Sequence, residues 1–244
     1  MRAEQLQLAL RPRAMVEAAD LGVRIAQDAA RSLRRAYLPF ALLLVLACGA
    51  TFELQPWLPG LLLWWAKPWL DRTLLEIYAR QAFGQSIGFA EAWDAQRAAP
   101  WAGILRALTT ARLSFWRAYT APVTQLEAQS GAARRERVQV LLNGHRGAAM
   151  LVQSVFSWCE GFVMLALLSL AAWLTPGLKS LGALGTLFDG SSLGQAGLYL
   201  AYAAAVLFVE PFFVAAGFAM YLNRRVELEA WDVEQELRDA FDHA

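Results

Sequence analysis

Cysteine, histidine and charged residues are scarce in this 244-residue sequence, and each shortage excludes a class of protein. The two cysteines, Cys48 and Cys159, lie inside apolar runs, so we expect buried thiols and no disulfide framework. Two histidines and two scattered cysteines cannot supply a four-ligand zinc site. Charged residues make up 18%, against about 25% in soluble proteins. With 57% apolar residues and a net charge of only +1, this argues against a soluble enzyme and a nucleic-acid-binding domain.

Apolar residues are abundant, and their distribution predicts an all-α integral membrane protein with about four membrane-inserted helices. They are gathered in four runs, which cover residues 37–52, 57–66, 148–174 and 198–222. The last two runs are long enough to cross a bilayer, which takes about 20 helical residues. We therefore expect a membrane hairpin over 37–72 and a membrane helix pair over 147–222, with an outer loop near 176–195.

The second apolar run is short, because Pro56 and Pro68 bound it. A helix of about ten residues rises about 15 Å, which is half the thickness of a bilayer core. Two alternatives follow. Either the run is one arm of a re-entrant hairpin, or it continues to about Arg72 and spans, with the Lys67 ammonium group snorkelling to the membrane surface.

The basic residues predict the orientation of the chain. All but one of the 22 Lys and Arg residues lie on one side of the membrane in this topology, and the exception is Lys179 in the outer loop. Segments that face the cytoplasm are enriched in Lys and Arg. Both termini are therefore expected in the cytoplasm, whether the hairpin over 37–72 spans the bilayer or re-enters it.

Three segments outside the membrane are expected to form amphipathic cytoplasmic helices. Segment 1–36 predicts a helix from near Pro12, which lies along the inner leaflet or docks on the rest of the protein. Segment 73–146 has apolar residues at helical spacing from Trp101 to Tyr119, and predicts interfacial helices that cover the bundle or bind anionic lipid. The acidic tail, 223–244, predicts a helix that docks on a basic surface of this chain or of a partner.

Two glutamates inside the apolar runs, Glu160 and Glu210, are the strongest candidates for a functional site. A carboxylate in hydrocarbon is costly, so it is expected to face the bundle interior and find a partner or a proton. Glu160 lies fourteen residues from Arg146, and Glu210 lies fourteen residues from Arg224. Both are thus about 21 Å along a helix from the cytoplasmic boundary, and at this matched depth they can face each other if their helices are neighbours.

Polar residues near these glutamates complete the candidate site. Gln153, Ser157 and Glu160 fall on one helix face and make a polar stripe, while Pro211 follows Glu210 directly and predicts a kink with a freed carbonyl. Such a group suits a buried structural hydrogen-bond network, a proton or cation site, or a contact with a lipid headgroup. The sequence leaves these three uses open.

Small residues lie just beyond the expected kink, at Ala215, Ala216, Gly217 and Ala219. Small side chains let another helix approach closely. Internal packing and self-association fit this stretch equally well.

No catalytic residue set or cofactor motif is recognisable, so we expect a protein that is not an enzyme. Residues 190–194 match the G-x-S-x-G pattern of hydrolases, but that pattern requires a preceding strand and a histidine base. Here it falls in the expected outer loop, and both histidines, His145 and His243, are expected on the opposite side of the membrane.

Three stretches of the chain resemble known membrane proteins. The run VEPFFVAAGFAMYLNRR at 209–225 with the following ELEAWD at 227–232, and residues 56–72 with their LLLWWAKP and DR, resemble an uncharacterised family of bacterial polytopic inner-membrane proteins. Members of that family are often encoded beside a MoxR-type ATPase and membrane proteins with transglutaminase-like domains. Residues 83–93 are also similar to glycerophosphodiesterase membrane domains. The resemblance implies a multi-pass protein of the bacterial inner membrane with membrane-bound partners, and it implies no catalytic residue.

The sequence favours two alternative functions. In the first, the protein scaffolds or regulates other envelope proteins through its basic middle helices and acidic tail. In the second, it is a small oligomeric transporter or channel that uses Glu160 and Glu210 to bind a proton or cation. Membrane lipids, together with a membrane-protein partner or a second copy, are the expected partners, and nucleic acid is not.

Overall fold

The computed structural model describes residues 13–98, 109, 114–174 and 191–229, and within these ranges all regular structure is helical. The helices are α1 (Met15–Asp28), α2 (Ala30–Gly49), α3 (Leu58–Ala82), α4 (Phe89–Arg97), α5 (Arg117–Gln125), α6 (Gly131–Leu142), α7 (Arg146–Leu174) and α8 (Ser192–Glu229). The expected all-α class is confirmed for this part of the chain.

Three of the described helices are long and apolar enough to cross a membrane, namely α2, α7 and α8. The expected number of four is not confirmed, because α3 falls outside this group. The 25 residues of α3 extend ten residues beyond the expected end at Arg72. Its second half carries Asp71, Arg72 and Glu76, which lower its mean hydropathy below that of a span.

Helix α8 is the central helix of the described structure. Of its most apolar 18-residue window, 78% is buried, and it packs against α1, α3, α5 and α7. Its small residues allow two close approaches. A Cβ atom added at Gly22 of α1 would lie 2.4 Å from the Ala216 Cα atom, and one added at Gly217 would lie 2.4 Å from the Ala118 Cβ atom of α5. The small-residue stretch therefore serves packing within this chain.

Helix α1 docks on α8. Of the two alternatives for segment 1–36, this is docking on the rest of the protein. Its buried face consists of Met15, Ala18, Ala19, Gly22, Ile25 and Ala26, whereas its charged residues point outwards. The Asn223 amide of α8 fixes its start, because Oδ1 accepts from the Arg13 backbone N–H and Nδ2 donates to the Arg13 carbonyl, both at 2.9 Å.

The hairpin of α2 and α3 places two tyrosines and the second half of α3 next to α8. A π-helical turn, Leu33–Tyr37, precedes Pro39, whose missing N–H removes a regular helical hydrogen bond. This turn buries Tyr37 against the core. Helix α3 ends in a Schellman motif at Gly84, which has a φ of 70° and donates its N–H to the Gln81 carbonyl.

Part of the middle segment and most of the acidic tail lie outside the described residues. This holds for most of the expected helix from Trp101 to Tyr119, for the outer loop up to residue 190, and for the tail beyond Glu229. The described start of the tail is a continuation of α8, so the expected boundary at residue 222 is not a break in the helix.

Candidate functional site

Five ionisable residues from four helices meet beside the middle of α8, and we call them the charge cluster. They are Lys67 and Asp71 of α3, Arg117 of α5, Glu160 of α7 and Glu210 of α8. Four of their side chains are 1–7% exposed and Glu160 is 17% exposed. The cluster therefore ties four helices together in an environment that is almost free of solvent.

Lys67 links the two glutamates that the sequence singled out. Its Nζ atom donates a hydrogen bond to Glu160 Oε2, and it lies 2.7 Å from Glu210 Oε2. Helices α7 and α8 are neighbours, which is the condition under which the two glutamates were expected to face each other. They meet through a shared ammonium group.

Arg117 holds the other side of Glu210. Its Nη2 atom donates to Glu210 Oε1 at 2.7 Å, and its Nε atom lies 3.0 Å from Asp71 Oδ2. The guanidinium also stacks over the Phe213 ring at 5.1 Å, so it is fixed by an aromatic face as well as by two carboxyl groups.

Local sequence explains how the cluster forms. Lys67 and Asp71 are four residues apart on α3, and therefore project from one helix face. Two turns further on, the Tyr78 hydroxyl donates to the Pro211 carbonyl at 2.8 Å. The Pro211 carbonyl is thus a hydrogen-bond acceptor next to Glu210. The carbonyl that a proline frees lies about one turn earlier in the helix, and α8 continues through Pro211 without interruption.

Snorkelling of Lys67, which one of the two alternatives for the second apolar run included, is not what the structure shows. Two carboxylates within reach stabilise its charge inside the protein, so its side chain is only 7% exposed. Sequence reasoning also missed Asp71 and Arg117. One sequence signal could have indicated Arg117. Two buried glutamates require nearby cations, and both Lys67 and Arg117 lie among aromatic residues, where a basic side chain is more often buried.

The polar stripe of α7 divides between two environments, because Glu160 enters the charge cluster whereas Gln153 and Ser157 lie along a groove. Gln153 is half-buried and Ser157 is exposed. Both line a groove of about 520 Å³ between α7 and the start of α5, together with Arg117, Ser114 and Trp158. The Gln153 Oε1 atom is buried and accepts no hydrogen bond from the described residues. The groove therefore leads from the surface of α7 to the buried guanidinium.

A second ionic group joins α6 to the end of α8. Arg137 bonds Glu127 and Glu229, and Arg225 bonds Glu229, at distances of 2.5–3.2 Å. Burial opposes the charge of Arg137, yet the hydrogen bonds that it donates to the two glutamates hold its pKa above the ordinary value. Two cations face two carboxylates, so this group is electrically balanced.

The described residues contain no group of three His, Cys, Asp or Glu side chains with the geometry of a metal site. Cys48 is buried and Cys159 is exposed, and both thiols are free. Comparison with known proteins yields no matching family model, curated protein or solved structure.

Proposed function

We propose that this protein is a non-enzymatic scaffold or regulator of other envelope proteins, embedded in the bacterial inner membrane with both termini in the cytoplasm. The observation that carries the proposal is the exposure of α7. Only 6% of its most apolar window is buried inside the protein, against 78% for α8. An apolar helix with so little cover is suited to contact lipid and the membrane helix of a partner.

The polar stripe favours a partner helix over lipid alone. Apolar side chains dominate the exposed surface of α7, among them Leu151, Val155, Trp158, Phe162 and Trp173. Within this surface lie the half-buried Gln153 and the exposed Ser157 hydroxyl. Lipid tails offer no hydrogen-bonding groups, whereas polar side chains of a neighbouring membrane helix do. We therefore assign the α7 surface to a membrane-spanning helix of another protein.

Site-specific photo-crosslinking in native membranes tests this assignment. A photoreactive amino acid at Trp158, which is 69% exposed, should give one protein adduct of defined mass. Replacing Ser157 by Leu in the same chain should reduce that adduct several-fold without loss of folded protein.

The matched control is Leu200 of α8, which is 63% exposed and also apolar. A photoreactive amino acid there should give lipid adducts only. Equal protein adducts at Trp158 and Leu200, or lipid adducts alone at Trp158, would contradict the scaffold proposal. An adduct with the mass of two copies of this chain would indicate self-association and would favour an oligomeric transporter or channel.

The second candidate is an oligomeric transporter or channel that binds a proton or cation at Glu160 and Glu210. The bridge through Lys67 favours it, because ionisable groups joined at one depth in a membrane commonly mark ion or proton paths. The exposed 17% of the Glu160 side chain gives this group some access from outside the cluster.

A flux assay in proteoliposomes tests the second candidate. Glu160→Gln should abolish proton or cation flux, since it removes the accessible carboxylate, while Glu76→Gln should leave flux unchanged. Glu76 is a suitable control because it pairs with Arg80 outside the cluster. Flux that is equal in the unaltered protein, in Glu160→Gln and in protein-free liposomes would rule out transport.

A further inference from the structure

The charge cluster contains more acid than base. Three carboxyl groups (Asp71, Glu160 and Glu210) meet two permanent or near-permanent cations (Lys67 and Arg117). If every group were ionised, a net charge of −1 would be buried, and a buried charge without a partner is strongly disfavoured. The second ionic group, around Arg137, shows the contrast, because its two cations balance its two carboxylates.

The contacts identify the carboxyl group that is least stabilised as an anion. Glu210 contacts two cations at 2.7 Å each, and Glu160 receives a hydrogen bond from Lys67. Asp71 has one cation at 3.0 Å, and neither of its oxygens accepts a hydrogen bond from the described residues. Its side chain is only 6% exposed, so solvent does not replace the missing donors.

Asp71 and Glu210 are also held against each other. Both contact the same guanidinium, Asp71 at Nε at 3.0 Å and Glu210 at Nη2 at 2.7 Å, which brings the two carboxyl groups side by side. Two carboxyl groups can hydrogen-bond only if one of them carries a proton, because an ionised carboxylate has no donor. A single proton between the two groups provides a partner for an Asp71 oxygen and permits the close approach of Glu210.

Besides Arg117, the cation that acts on Asp71 is Lys67, which lies one turn earlier on α3 and is shared with Glu160 and Glu210. The titratable groups that face the cluster are Tyr37 of α2, Tyr78 of α3 and Tyr202 of α8, besides the five members themselves. The Tyr37 hydroxyl is buried and has no hydrogen-bond partner among the described residues. A neutral phenol does not offset a negative charge.

We propose that Asp71 is a proton-binding site, at which one proton is held on the Asp71 carboxyl group and donated to Glu210. The cluster is then neutral, with Lys67 and Arg117 facing ionised Glu160 and Glu210. Loss of the proton at alkaline pH leaves one uncompensated negative charge between α3, α5 and α8. The inference is independent of whether the protein scaffolds partners or transports ions.

Infrared spectroscopy of the full chain in lipid nanodiscs tests the proposal at neutral pH, where exposed carboxyl groups are ionised. A carboxylic-acid C=O band equivalent to one group per chain is expected. It should shift in protein labelled with heavy-carbon aspartate and stay fixed in protein labelled with heavy-carbon glutamate. Titration to alkaline pH should remove it. A missing band, or a band that follows glutamate labelling, would overturn the proposal.

Two variants place the band on a single residue. Asp71→Asn should remove it, whereas Asp94→Asn, at an exposed position of α4, should leave it unchanged. A band that survives in folded Asp71→Asn protein would show that the proton lies elsewhere. If Asp71→Asn does not fold, the isotope labelling of the unaltered chain still decides between the outcomes.

Discussion

Replacing Lys67 by Met should lower the free energy of unfolding by about 3–5 kcal/mol, because it leaves buried carboxylates without their cation. Glu160 loses the hydrogen bond from Lys67, and Glu210 keeps only Arg117. Unfolding with increasing SDS, monitored by tryptophan fluorescence, measures the change. Adding Glu160→Gln to the Lys67→Met chain should recover part of the loss, since the carboxylate that has lost its cation is then removed.

Arg80→Met is the matched control for Lys67→Met on the same helix. Arg80 pairs with Glu76 at 2.7 Å, but its side chain is 38% exposed, so this pair contributes below about 1 kcal/mol. Equal losses for the two variants would contradict the view that the charge cluster depends on burial. A greater loss in the double variant than in Lys67→Met would contradict the pairing of Lys67 with Glu160.

Gly22→Ala should destabilise the docking of α1 on α8 by about 1–3 kcal/mol or more, because the methyl group meets backbone atoms that cannot rotate away. The added Cβ atom would lie 2.4 Å from Ala216 Cα and 2.6 Å from both Ala215 O and Ala216 N. Hydrogen exchange across residues 15–28 should therefore increase, while exchange in α7 stays unchanged.

Gly161→Ala is the control for Gly22→Ala, since Gly161 lies in the exposed α7 with nothing within 4 Å of its added Cβ atom. In a helix interior, alanine is favoured over glycine by about 1 kcal/mol. The control should therefore be neutral or slightly stabilising. Unchanged hydrogen exchange across residues 15–28 in both variants would refute the close packing of α1 against Ala216.

The sequence predicted the helices with long apolar patterns better than the polar contacts between them. The runs over 148–174 and 198–222 correspond to α7 and α8, because length and hydropathy alone distinguish a membrane-length helix. The run over 57–66 did not indicate the length of its helix. Its helix extends to Ala82 since residues beyond Pro68 pack on α8, and tertiary packing of this kind leaves little trace in local composition.

Two of the five members of the charge cluster were predicted as site residues. Glu160 and Glu210 were found because a carboxylate in an apolar run is unusual by itself. Asp71 and Arg117 were missed because they lie outside the four apolar runs, where charged residues are ordinarily solvated. Their burial depends on which helices pack together, and periodicity along one helix contains no information about the partner that covers it.

The central position of α8 also has a consequence for biosynthesis. A ribosome makes the chain from the N-terminus onwards, so α1, α3, α5 and α7 are all complete before the helix that they share as a packing partner. Until α8 is inserted, Glu210 is absent, and Lys67 and Arg117 lack the carboxylate that they have in common. The nascent protein can thus form only two separate pairs, Lys67 with Glu160 and Arg117 with Asp71, and its last described helix joins them into one cluster.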